Sequence, residues 1–309
     1  MKLKKLLNGI FDSSLDEDIQ DFEVNGVYCD SRKVQSDGIF LAMQGENSKG
    51  SDYLEDVFNK GVKVVFVEKQ DYDLFIEEDR YLLVVDDIQK FSRQIIQKFY
   101  QNPSQKTRVI GITGTNGKTT VSYLIESILH EAEKSCSVIG TVNYRIGERI
   151  LPAQNTTPGF FENQRLLADI VNDGVEYCVM EVSSHALVQQ RVDLIDFRSA
   201  VFTNLTSDHL DYHKTRDNYF SAKAKMFVDL PTESISVINV DDECGRKLFS
   251  KTSSEIFTYG IEKNADVMAN DIQLDISGTS FKIISPQGDL MIQTFLIGQY
   301  NIYNILAAV

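Results

Sequence analysis

VIGITGTNGKTT, at residues 109–120, places a buried-strand pattern, a glycine-rich turn and a helix start in immediate succession. After Lys118, apolar side chains recur at the spacing of one helical face: Val121, Leu124, Ile125, Ile128, Leu129 and Ala132. Glycines let backbone N–H groups converge on phosphate oxygens, and a helix N-terminus adds a positive partial charge. The stretch therefore predicts a nucleotide-phosphate loop formed by Gly114, Thr115, Asn116, Gly117, Lys118, Thr119 and Thr120.

The loop departs from the strict P-loop pattern G-x-x-x-x-G-K-[ST], which requires glycine where this chain has Ile112. The match is therefore to a shorter variant of that pattern. In such a loop Lys118 is expected to bind the β- and γ-phosphates of ATP, and the Thr119 hydroxyl to bind Mg²⁺. A glycine-rich strand-to-helix turn without a ligand is the alternative interpretation.

Residues 1–103 predict a small N-terminal α/β domain. Short β-rich runs occur at 38–43, 62–68 and 81–86, and helical patterns occur at 53–60 and 88–100. Pro103 disfavours helix for Asn102 and has no N–H donor of its own, so the second helix is expected to end there. We place the domain boundary at this proline.

Residues 104–309 predict a P-loop-type central domain with a mostly parallel sheet. Apolar runs at 178–182, 199–205 and 235–240 alternate with helical stretches, as is typical of such sheets. Past Ala265, β-rich segments separated by turns predict an antiparallel extension. A helix pattern begins at Gln299 and reaches Val309 without a stop signal, so we expect a C-terminal domain to be absent from this chain.

The composition disfavours several classes of protein. A net charge of −14 and a pI near 4.8 oppose binding to nucleic acid or to an anionic membrane surface. No apolar run approaches the ~20 residues of a membrane span, and the basic start of the chain is interrupted too early for a signal peptide, which favours an amphipathic first helix. The four cysteines lack the spacing of a zinc or disulfide framework. We expect a cytoplasmic protein that acts as a monomer.

Glu181 follows an apolar run, at the carboxyl end of a predicted parallel strand. Open α/β sheets bind ligands at this edge, and a carboxylate there can bind the magnesium ion that bridges ATP phosphates. A lone glutamate in this position is otherwise a solvated strand end. The adjacent Ser183, Ser184 and His185 form a polar cluster in apolar sequence, which favours a site.

The segment DHLDYH at residues 208–213 holds two of the four histidines, His209 and His213. It follows another predicted strand, which makes its histidines candidates for the same edge of the sheet. Thr206, Ser207 and Asp208 are also good N-cap residues, so the segment can equally be a capped helix start. The two interpretations are compatible.

Lys223 is predicted to lie on the apolar face of a helix. If residues 217–228 are helical, Tyr219, Phe220, Met226 and Phe227 form that face and Lys223 falls among them. Burying an ammonium group is costly, so this lysine must find an anion, lose its proton or be chemically modified. The alternative is a lysine whose amine extends to solvent.

Taken together, these segments resemble the motifs of the Mur ligase family, over essentially the whole chain. GTNGKTT at 114–120, MEVSSHAL at 180–187 and TNLTSDHLDYH at 203–213 occur in the family's order, followed by AK at 222–223, NVDD at 239–242 and GQYNIYN at 298–304. The segments CDSRKV at 29–34 and NTT at 155–157 are most similar to the tripeptide synthetases of that family. The full series is far more specific than the phosphate loop alone.

The resemblance implies an ATP-dependent ligase that adds the third amino acid, diaminopimelate or lysine, to UDP-N-acetylmuramoyl-L-alanyl-D-glutamate through an acyl phosphate. It assigns catalysis to Lys118, Glu181, His209 and Lys223. One Mg²⁺ would be bound by Thr119 and Glu181, and a second by His209 and a carbamylated Lys223. Adenine would be recognised by Asn301 and Asn304. The uridine diphosphate would contact Ser31, Glu46, Asn47 and Ser48, and the muramoyl-peptide end would contact Asn155, Thr156, Thr157, Ser183, Gln189 and Arg191.

Two other interpretations stay open at the level of sequence. One is a different ligase of the same superfamily, such as a folylpolyglutamate synthetase, although the CDSRKV, NTT and SSHAL segments disfavour it. The other is a non-catalytic nucleotide-binding protein with the same fold. The sequence decides neither which amino acid is added nor whether this chain catalyses the step or only binds its substrates.

Overall fold

The chain divides at Pro103. The computed structural model describes residues 1–11, 15, 17–45, 48–70 and 80–309, and it separates into two units, Met1–Asn102 and Pro103–Val309, one residue before the expected boundary. Gln101 and Asn102 have φ angles of 57° and 50°. A right-handed helix cannot continue through such angles, so the helix before them ends at Tyr100.

The first unit is built on a four-stranded parallel sheet in the order β1-β2-β3-β4. Its strands are β1 (Gly26–Tyr28), β2 (Gly38–Leu41), β3 (Val64–Glu68) and β4 (Tyr81–Val85), and its helices are α1 (Leu3–Leu7), α2 (Glu17–Gln20), α3 (Leu54–Asn59) and α4 (Ile88–Tyr100), with a 3₁₀ turn at Gly50–Tyr53. Phe40 and Val65 pack with Val57 of α3 in one buried cluster. Phe66 instead contacts the rings of Phe11 and Phe91. Helices therefore cover the sheet much as the sequence predicts, and α1 is the expected amphipathic first helix, with Leu3, Leu6 and Leu7 buried.

The second unit is built on one eleven-stranded sheet. Its strands are β5 (Arg108–Thr113), β6 (Cys136–Ile139), β7 (Asn143–Ile146), β8 (Arg149–Pro152), β9 (Tyr177–Glu181), β10 (Phe197–Phe202), β11 (Ile235–Asn239), β12 (Glu255–Gly260), β13 (Val267–Asp275), β14 (Gly278–Ser285) and β15 (Gly288–Thr294). The helices are α5 (Lys118–Glu131), α6 (Phe160–Asn172), α7 (Ser184–Val188), α8 (Leu210–His213), α9 (Arg216–Val228), α10 (Glu243–Leu248) and α11 (Gln299–Ala308), with a 3₁₀ turn at Pro103–Gln105.

The strand order is β15-β14-β13-β12-β11-β10-β5-β9-β6-β7-β8. All pairs from β6 to β13 are parallel, whereas β13-β14-β15 and β6-β7-β8 are antiparallel. The mostly parallel sheet and its antiparallel extension are thus confirmed. The hairpin of β7 and β8 adds a second antiparallel edge that the sequence analysis did not predict.

Alternate residues of the central strands face two separate buried clusters. Cys178, Met180, Ala200 and Phe202 belong to the cluster that includes Phe227 of α9. Val179 and Val201 belong to the cluster formed with α5 and α11. Burial on both faces explains why these strands are continuous apolar runs in the sequence. The strand order places β5 in the middle of the sheet, between β9 and β10.

Among the described residues, no helix combines the length and apolar character needed to cross a bilayer. None of the four cysteines, all of which lie in the described part of the chain, forms a disulfide bond.

Gly111 is the position in β5 where added volume should be least tolerated. A methyl group built there would lie 2.0 Å from Met226 Cε and 2.7 Å from Phe197 Cε1. We predict that Gly111→Ala lowers the free energy of unfolding by about 1–3 kcal/mol, the usual cost of overpacking a core. Urea unfolding followed by circular dichroism measures it.

Gly159→Ala is the matched control, because no atom lies within 4 Å of the methyl group it adds. Its unfolding free energy should change by less than about 0.5 kcal/mol. Equal stability of the two variants would contradict the packing argument.

Candidate active site

The loop between β5 and α5 has the backbone of a phosphate-binding turn. Gly114 and Gly117 have φ angles of 147° and 88°, in the region that favours glycine. A methyl group at Gly114 would lie 1.9 Å from Thr203 Oγ1. Helix α5 begins after Gly117 without a side-chain cap. The N–H groups of its first turn are therefore available to an anion.

The end of β10 holds this loop in shape. The Asn204 carbonyl accepts the N–H of Thr115 at 2.8 Å, and its side-chain Oδ1 accepts the N–H of Asn116 at 3.0 Å. The Thr203 hydroxyl donates to the Asn116 carbonyl at 2.6 Å. Asn116 is thus a framework residue of the loop, fixed by partners almost 90 positions further along the chain.

Two lysines donate to the same backbone carbonyl, that of Gly114. Lys118 Nζ lies 2.9 Å from this oxygen and 2.8 Å from the Thr115 carbonyl, and Lys223 Nζ lies 2.8 Å from the Gly114 oxygen. Lys223 is only 1% exposed and its ammonium lies 4.7 Å from the centre of the Tyr219 ring. Lys223 is therefore buried in α9 as predicted, and the alternative of an amine extended to solvent is wrong.

Burial lowers the pKa of both lysines. For Lys223 the pKa falls well below its usual value, first because of burial and then because of the neighbouring Lys118 charge. For Lys118 burial also dominates, while Glu181 and Asp208 partly oppose it. Two buried amines next to a phosphate-binding turn form a strong attraction for an anionic ligand.

Glu181 lies at the carboxyl end of β9, beside the loop, and is 1% exposed. Its Oε2 accepts the Thr119 hydroxyl at 2.8 Å and the Thr141 hydroxyl at 3.0 Å, and its Oε1 accepts the Thr141 N–H at 2.9 Å. The structure thus brings together the two residues expected to share a magnesium ion. Each carboxylate oxygen is oriented by a hydroxyl or N–H donor.

Thr141 is a site residue that the sequence analysis missed. It follows Gly140 just after β6, which neighbours β9, so it occupies the same edge of the sheet as Glu181. A methyl group at Gly140 would lie 2.2 Å from Glu181 Oε1, which explains the glycine. The signal that found Glu181, a polar residue directly after a buried strand, applies equally to Thr141.

Three histidines, His185, His209 and His213, cluster near Tyr219. The His209 and His185 rings are 5.1 Å apart, those of His185 and His213 are 5.7 Å apart, and the His209 ring lies 6.1 Å from that of Tyr219. His213 Nε2 and the Ser184 hydroxyl are 2.9 Å apart, which ties α8 to α7. Burial, followed by neighbouring positive charge, lowers the pKa of His185 and His213, so their neutral forms are favoured.

His209 precedes α8 with a φ of 50°, an unusual angle for a non-glycine residue. No side chain caps α8 at this residue, so the predicted helix start is present but its expected N-cap bond is not. Residues held in such conformations cluster at functional sites. The backbone at His209 therefore favours the site interpretation of this segment.

The residues expected to contact the muramoyl-peptide lie beside Glu181. Thr157 is 1% exposed, its hydroxyl donates to the Glu181 carbonyl at 2.8 Å, and its own carbonyl accepts Arg191 Nη1 at 3.0 Å. The Thr156 and Thr141 hydroxyl oxygens are 3.1 Å apart, and Ser183 caps α7. Asn155 is exposed next to them, and Gln189 ends α7. Of the predicted set, Thr157 thus contacts the Glu181 backbone directly and Arg191 contacts Thr157.

A polar cavity of about 710 Å³ opens beside Gly117, at the end of the phosphate loop. It is lined by Asn116, Gly117, Thr120, Asn204, Asn239, Asp241, Asp242, Glu262, Tyr300, Tyr303 and Asn304. Asn304 lies in this wall, whereas Asn301 lies behind it and accepts the Asn304 amide at 3.1 Å. Of the predicted adenine pair, the geometry therefore places Asn304 at the cavity and Asn301 as its support.

In the first unit, Ser31 is buried and its carbonyl accepts Lys60 Nζ at 2.8 Å. Ser48 accepts the Gly45 N–H through its carbonyl at 2.9 Å. Glu46 and Asn47, which were expected to touch the uridine diphosphate, lie outside the described residues.

Comparison with known proteins agrees with this arrangement. Residues 112–309 match the family described as Mur ligase middle domain, and residues 23–100 match the Mur ligase family, catalytic domain. The chain is 41% identical over 293 residues to the UDP-N-acetylmuramoyl-L-alanyl-D-glutamate--2,6-diaminopimelate ligase of Geobacter metallireducens, covering 93% of this chain and 57% of that protein. It is 36% identical to the ligase of the same name from Bacillus velezensis, covering 100% of this chain and 63% of that one.

Solved structures give the same picture at the level of the fold. A structure of a UDP-N-acetylmuramoyl-L-alanyl-D-glutamate--2,6-diaminopimelate ligase superposes with a TM-score of 0.79 at 29% identity, covering all of this chain and 63% of that one. The MurF ligase from Thermotoga maritima in complex with ADP shares the fold, with a TM-score of 0.65 at 18% identity over 93% of this chain and 62% of that one.

This chain spans about three-fifths of the length of these relatives. The middle-domain match covers the phosphate loop, Glu181, the histidine cluster and Lys223. On that match, which takes in well over half of its residues, the chain belongs to the Mur ligase family.

Proposed function

We propose that this protein binds ATP and UDP-N-acetylmuramoyl-L-alanyl-D-glutamate and takes part in the ATP-driven ligation of an amino acid to the dipeptide, in the cytoplasm. The relatives with the highest identities described above are named for 2,6-diaminopimelate, which we propose as that amino acid. The observation that carries the proposal is the convergence of Lys118 and Lys223 on the Gly114 carbonyl, next to a Glu181 carboxylate shared with Thr119.

The charge distribution supports one direction for ATP across the site. Lys118 and the N-terminus of α5 favour the triphosphate at the loop. The cavity beyond Gly117 is lined instead by three carboxylates, Asp241, Asp242 and Glu262, which repel phosphate, and Glu262 can accept hydrogen bonds from ribose hydroxyls. The nucleoside therefore fits the cavity and the phosphates fit the loop.

The donor set beside the loop suits Mg²⁺. Glu181 supplies carboxylate oxygens, and Thr119 and Thr141 supply hydroxyl oxygens, which are the hard ligands that this ion prefers together with phosphate oxygens. A second ion would use His209 and a modified Lys223. Bound magnesium would neutralise part of the negative charge of the triphosphate.

We propose that Lys223 is carbamylated when the site is loaded. Its amine is buried and burial lowers its pKa, so the neutral, nucleophilic form is more accessible than in an exposed lysine. The neutral amine nitrogen bonds to the carbon of CO₂ and one N–H proton is released to solvent, which leaves a carbamate anion where a protonated lysine would be a buried cation. That change removes the repulsion between Lys223 and Lys118 and adds an oxygen ligand for a cation.

In the proposed reaction the terminal carboxylate of the dipeptide attacks the γ-phosphorus of ATP, and ADP leaves. The amino group of the incoming amino acid then attacks the acyl carbon, inorganic phosphate leaves, and the amine loses a proton. Lys118 neutralises the charge that develops on the transferring phosphoryl group. Thr157, Ser183 and Arg191 would hold the peptide end beside Glu181, so the contribution of the protein is chiefly positioning and electrostatics.

A substrate panel tests this function. The 309-residue chain should bind UDP-N-acetylmuramoyl-L-alanyl-D-glutamate more tightly than the forms one residue shorter or longer, and should not bind a folate. Lys118→Ala should weaken ATP binding in the presence of Mg²⁺ by about 10- to 100-fold, since it removes charge-assisted hydrogen bonds. In a protein extended to the full length of the relatives it should abolish ligation.

Lys134→Ala is the control for charge, because Lys134 pairs with Glu176 at the surface, past the far end of α5. It should leave ATP binding unchanged. Near-normal ATP binding by Lys118→Ala, or a preference for folate, would refute the assignment.

Carbamylation has its own test. With ¹³C-bicarbonate and saturating ADP and Mg²⁺, the wild-type protein should show one carbamate ¹³C resonance per chain, and Lys223→Gln should show none. Lys225→Gln is the matched control on the same helix, because Lys225 is exposed and paired with Asp229. Persistence of the signal in Lys223→Gln would exclude this lysine as the modified residue.

The depressed pKa of Lys223 also predicts a pH dependence of stability in CO₂-free buffer. The unfolded lysine binds a proton below about pH 10.4, whereas the folded one does so only at lower pH. The wild type should therefore lose stability relative to Lys223→Met as the pH falls from about 10 towards 7. Each unit of depression contributes about 1.4 kcal/mol. Urea unfolding of both proteins across this range measures the effect, and parallel curves would contradict it.

A further inference from the structure

The segment NVDD, at residues 239–242, has contacts that the proposed chemistry does not use. Asn239 Nδ2 donates to the Thr203 carbonyl at 3.0 Å. Asp242 accepts the N–H groups of Leu205, Cys244 and Gly245, which caps α10 and ties it to the loop after β10. These two residues are accounted for by framework contacts. Asp241 is different, because its partners form a wall of the polar cavity.

Asp241 accepts four hydrogen bonds. Its Oδ2 accepts the N–H of Ile261 at 2.6 Å, the N–H of Glu262 at 3.0 Å and the hydroxyl of Tyr303 at 2.9 Å. Its Oδ1 accepts the N–H of Lys263 at 2.8 Å. An ionised carboxylate has about four acceptor positions, so Asp241 has little capacity left for a ligand. Burial opposes its ionisation, but these donors outweigh burial and the pKa of Asp241 lies below its usual value.

This arrangement fixes the direction of the Tyr303 hydroxyl. A carboxylate can only accept, so Tyr303 must give its single hydrogen to Asp241. The lone pairs of the Tyr303 oxygen are then the only hydrogen-bonding capacity that this hydroxyl has left for a molecule in the cavity. The amide of Asn304 offers both a donor and an acceptor, so it can adapt to different partners. The Tyr303 hydroxyl, whose hydrogen is given to Asp241, can only accept a hydrogen bond from a ligand.

We infer that Asp241 is a positioning residue for nucleobase selection. It holds the Tyr303 hydroxyl as an obligate hydrogen-bond acceptor. Such an acceptor favours a base with an exocyclic amino group facing it, such as adenine, over a base with a carbonyl oxygen in that position. The inference rests on the proposed binding of ATP in this cavity. Tyr303 makes the contact with the base, and Asp241 acts through it. A purine carbonyl oxygen facing Tyr303 leaves two acceptors opposed and unpaired, which costs more than a missing bond.

The test compares three nucleotides by isothermal titration calorimetry on the 309-residue chain with Mg²⁺. ATP carries the 6-amino group, ITP carries a 6-oxygen, and purine riboside triphosphate carries neither. The wild-type protein should bind ATP about tenfold or more tightly than ITP, with purine riboside triphosphate between them. In Tyr303→Phe the difference between ATP and purine riboside triphosphate should disappear, to within about twofold.

Asp241→Asn adds a readout that a purely structural role would not give. The amide can donate to Tyr303, which frees the Tyr303 hydrogen to point towards the base. ITP should then bind more tightly than it does to the wild type, and the ratio of ATP to ITP affinity should fall below about threefold. Tyr303→Phe keeps the three backbone partners of Asp241, so it decides the question if Asp241→Asn does not fold.

Tyr177→Phe is the matched control, because its hydroxyl accepts Arg108 at the opposite end of the parallel strands. It should keep the wild-type ratio. A wild-type protein that binds ATP and ITP equally, or a Tyr303→Phe variant that weakens all three nucleotides by the same factor, would overturn the inference while leaving ATP binding intact. Failure of the wild type to bind any nucleotide would remove the proposed function and this inference together.

Discussion

Two buried amines share one backbone oxygen in this protein, and the site is organised around that constraint. Lys118 comes from the start of α5 and Lys223 from the middle of α9, yet both donate to the Gly114 carbonyl. Lys223 is buried and Lys118 is partly buried, and the Lys118 charge adds to burial in lowering the pKa of Lys223. Negative charge, or the loss of a proton, relieves this repulsion. Under the proposed function, a triphosphate would supply the negative charge and a carbamate on Lys223 would remove one of the two cations.

The parallel sheet is what brings these groups to one place. Because β5 lies between β9 and β10, the segments that follow these strands emerge side by side at their carboxyl ends. Glu181 is the last residue of β9, Thr141 follows β6, and Asn204 follows β10. Asn204 then shapes the phosphate loop from outside, through bonds to Thr115 and Asn116. The conformation of the phosphate loop thus depends on residues of a different segment, the one that follows β10.

Much of this could be predicted from local sequence. The phosphate loop, the carboxylate at the end of β9 and the buried position of Lys223 each follow from a pattern within about a dozen residues, because strand and helix periodicities are short-range signals. The antiparallel extension was also predictable from the change of pattern after Ala265. The hairpin of β7 and β8 was not, since each strand has only four residues, too few for a clear periodic signal.

Other features depend on pairings between distant segments, which a single sequence does not encode in any visible pattern. Thr141 and Asn204 are ordinary polar residues after strands until the strand order is known. Asp241 and Tyr303 are 62 positions apart, and Asn301 supports Asn304 from behind the cavity wall rather than lining it. The resemblance to known ligases pointed to the segments that contain Asn204, Asp241 and Tyr303, but not to the one that contains Thr141. Which residues of each segment line the cavity, and which support them from behind, could be read only from the three-dimensional structure.

The bond between Lys223 and Gly114 joins residues 109 positions apart, and it closes only after β5, β9 and β10 have assembled with α9 packed on them. A partly folded chain therefore has no nucleotide pocket, and loop closure of this length is slow to form. Under the proposed function, a nucleotide would bind only the folded unit, so it would raise the free energy of unfolding of this unit by mass action. Ligand binding at this site and the stability of the unit that forms it would then be thermodynamically linked.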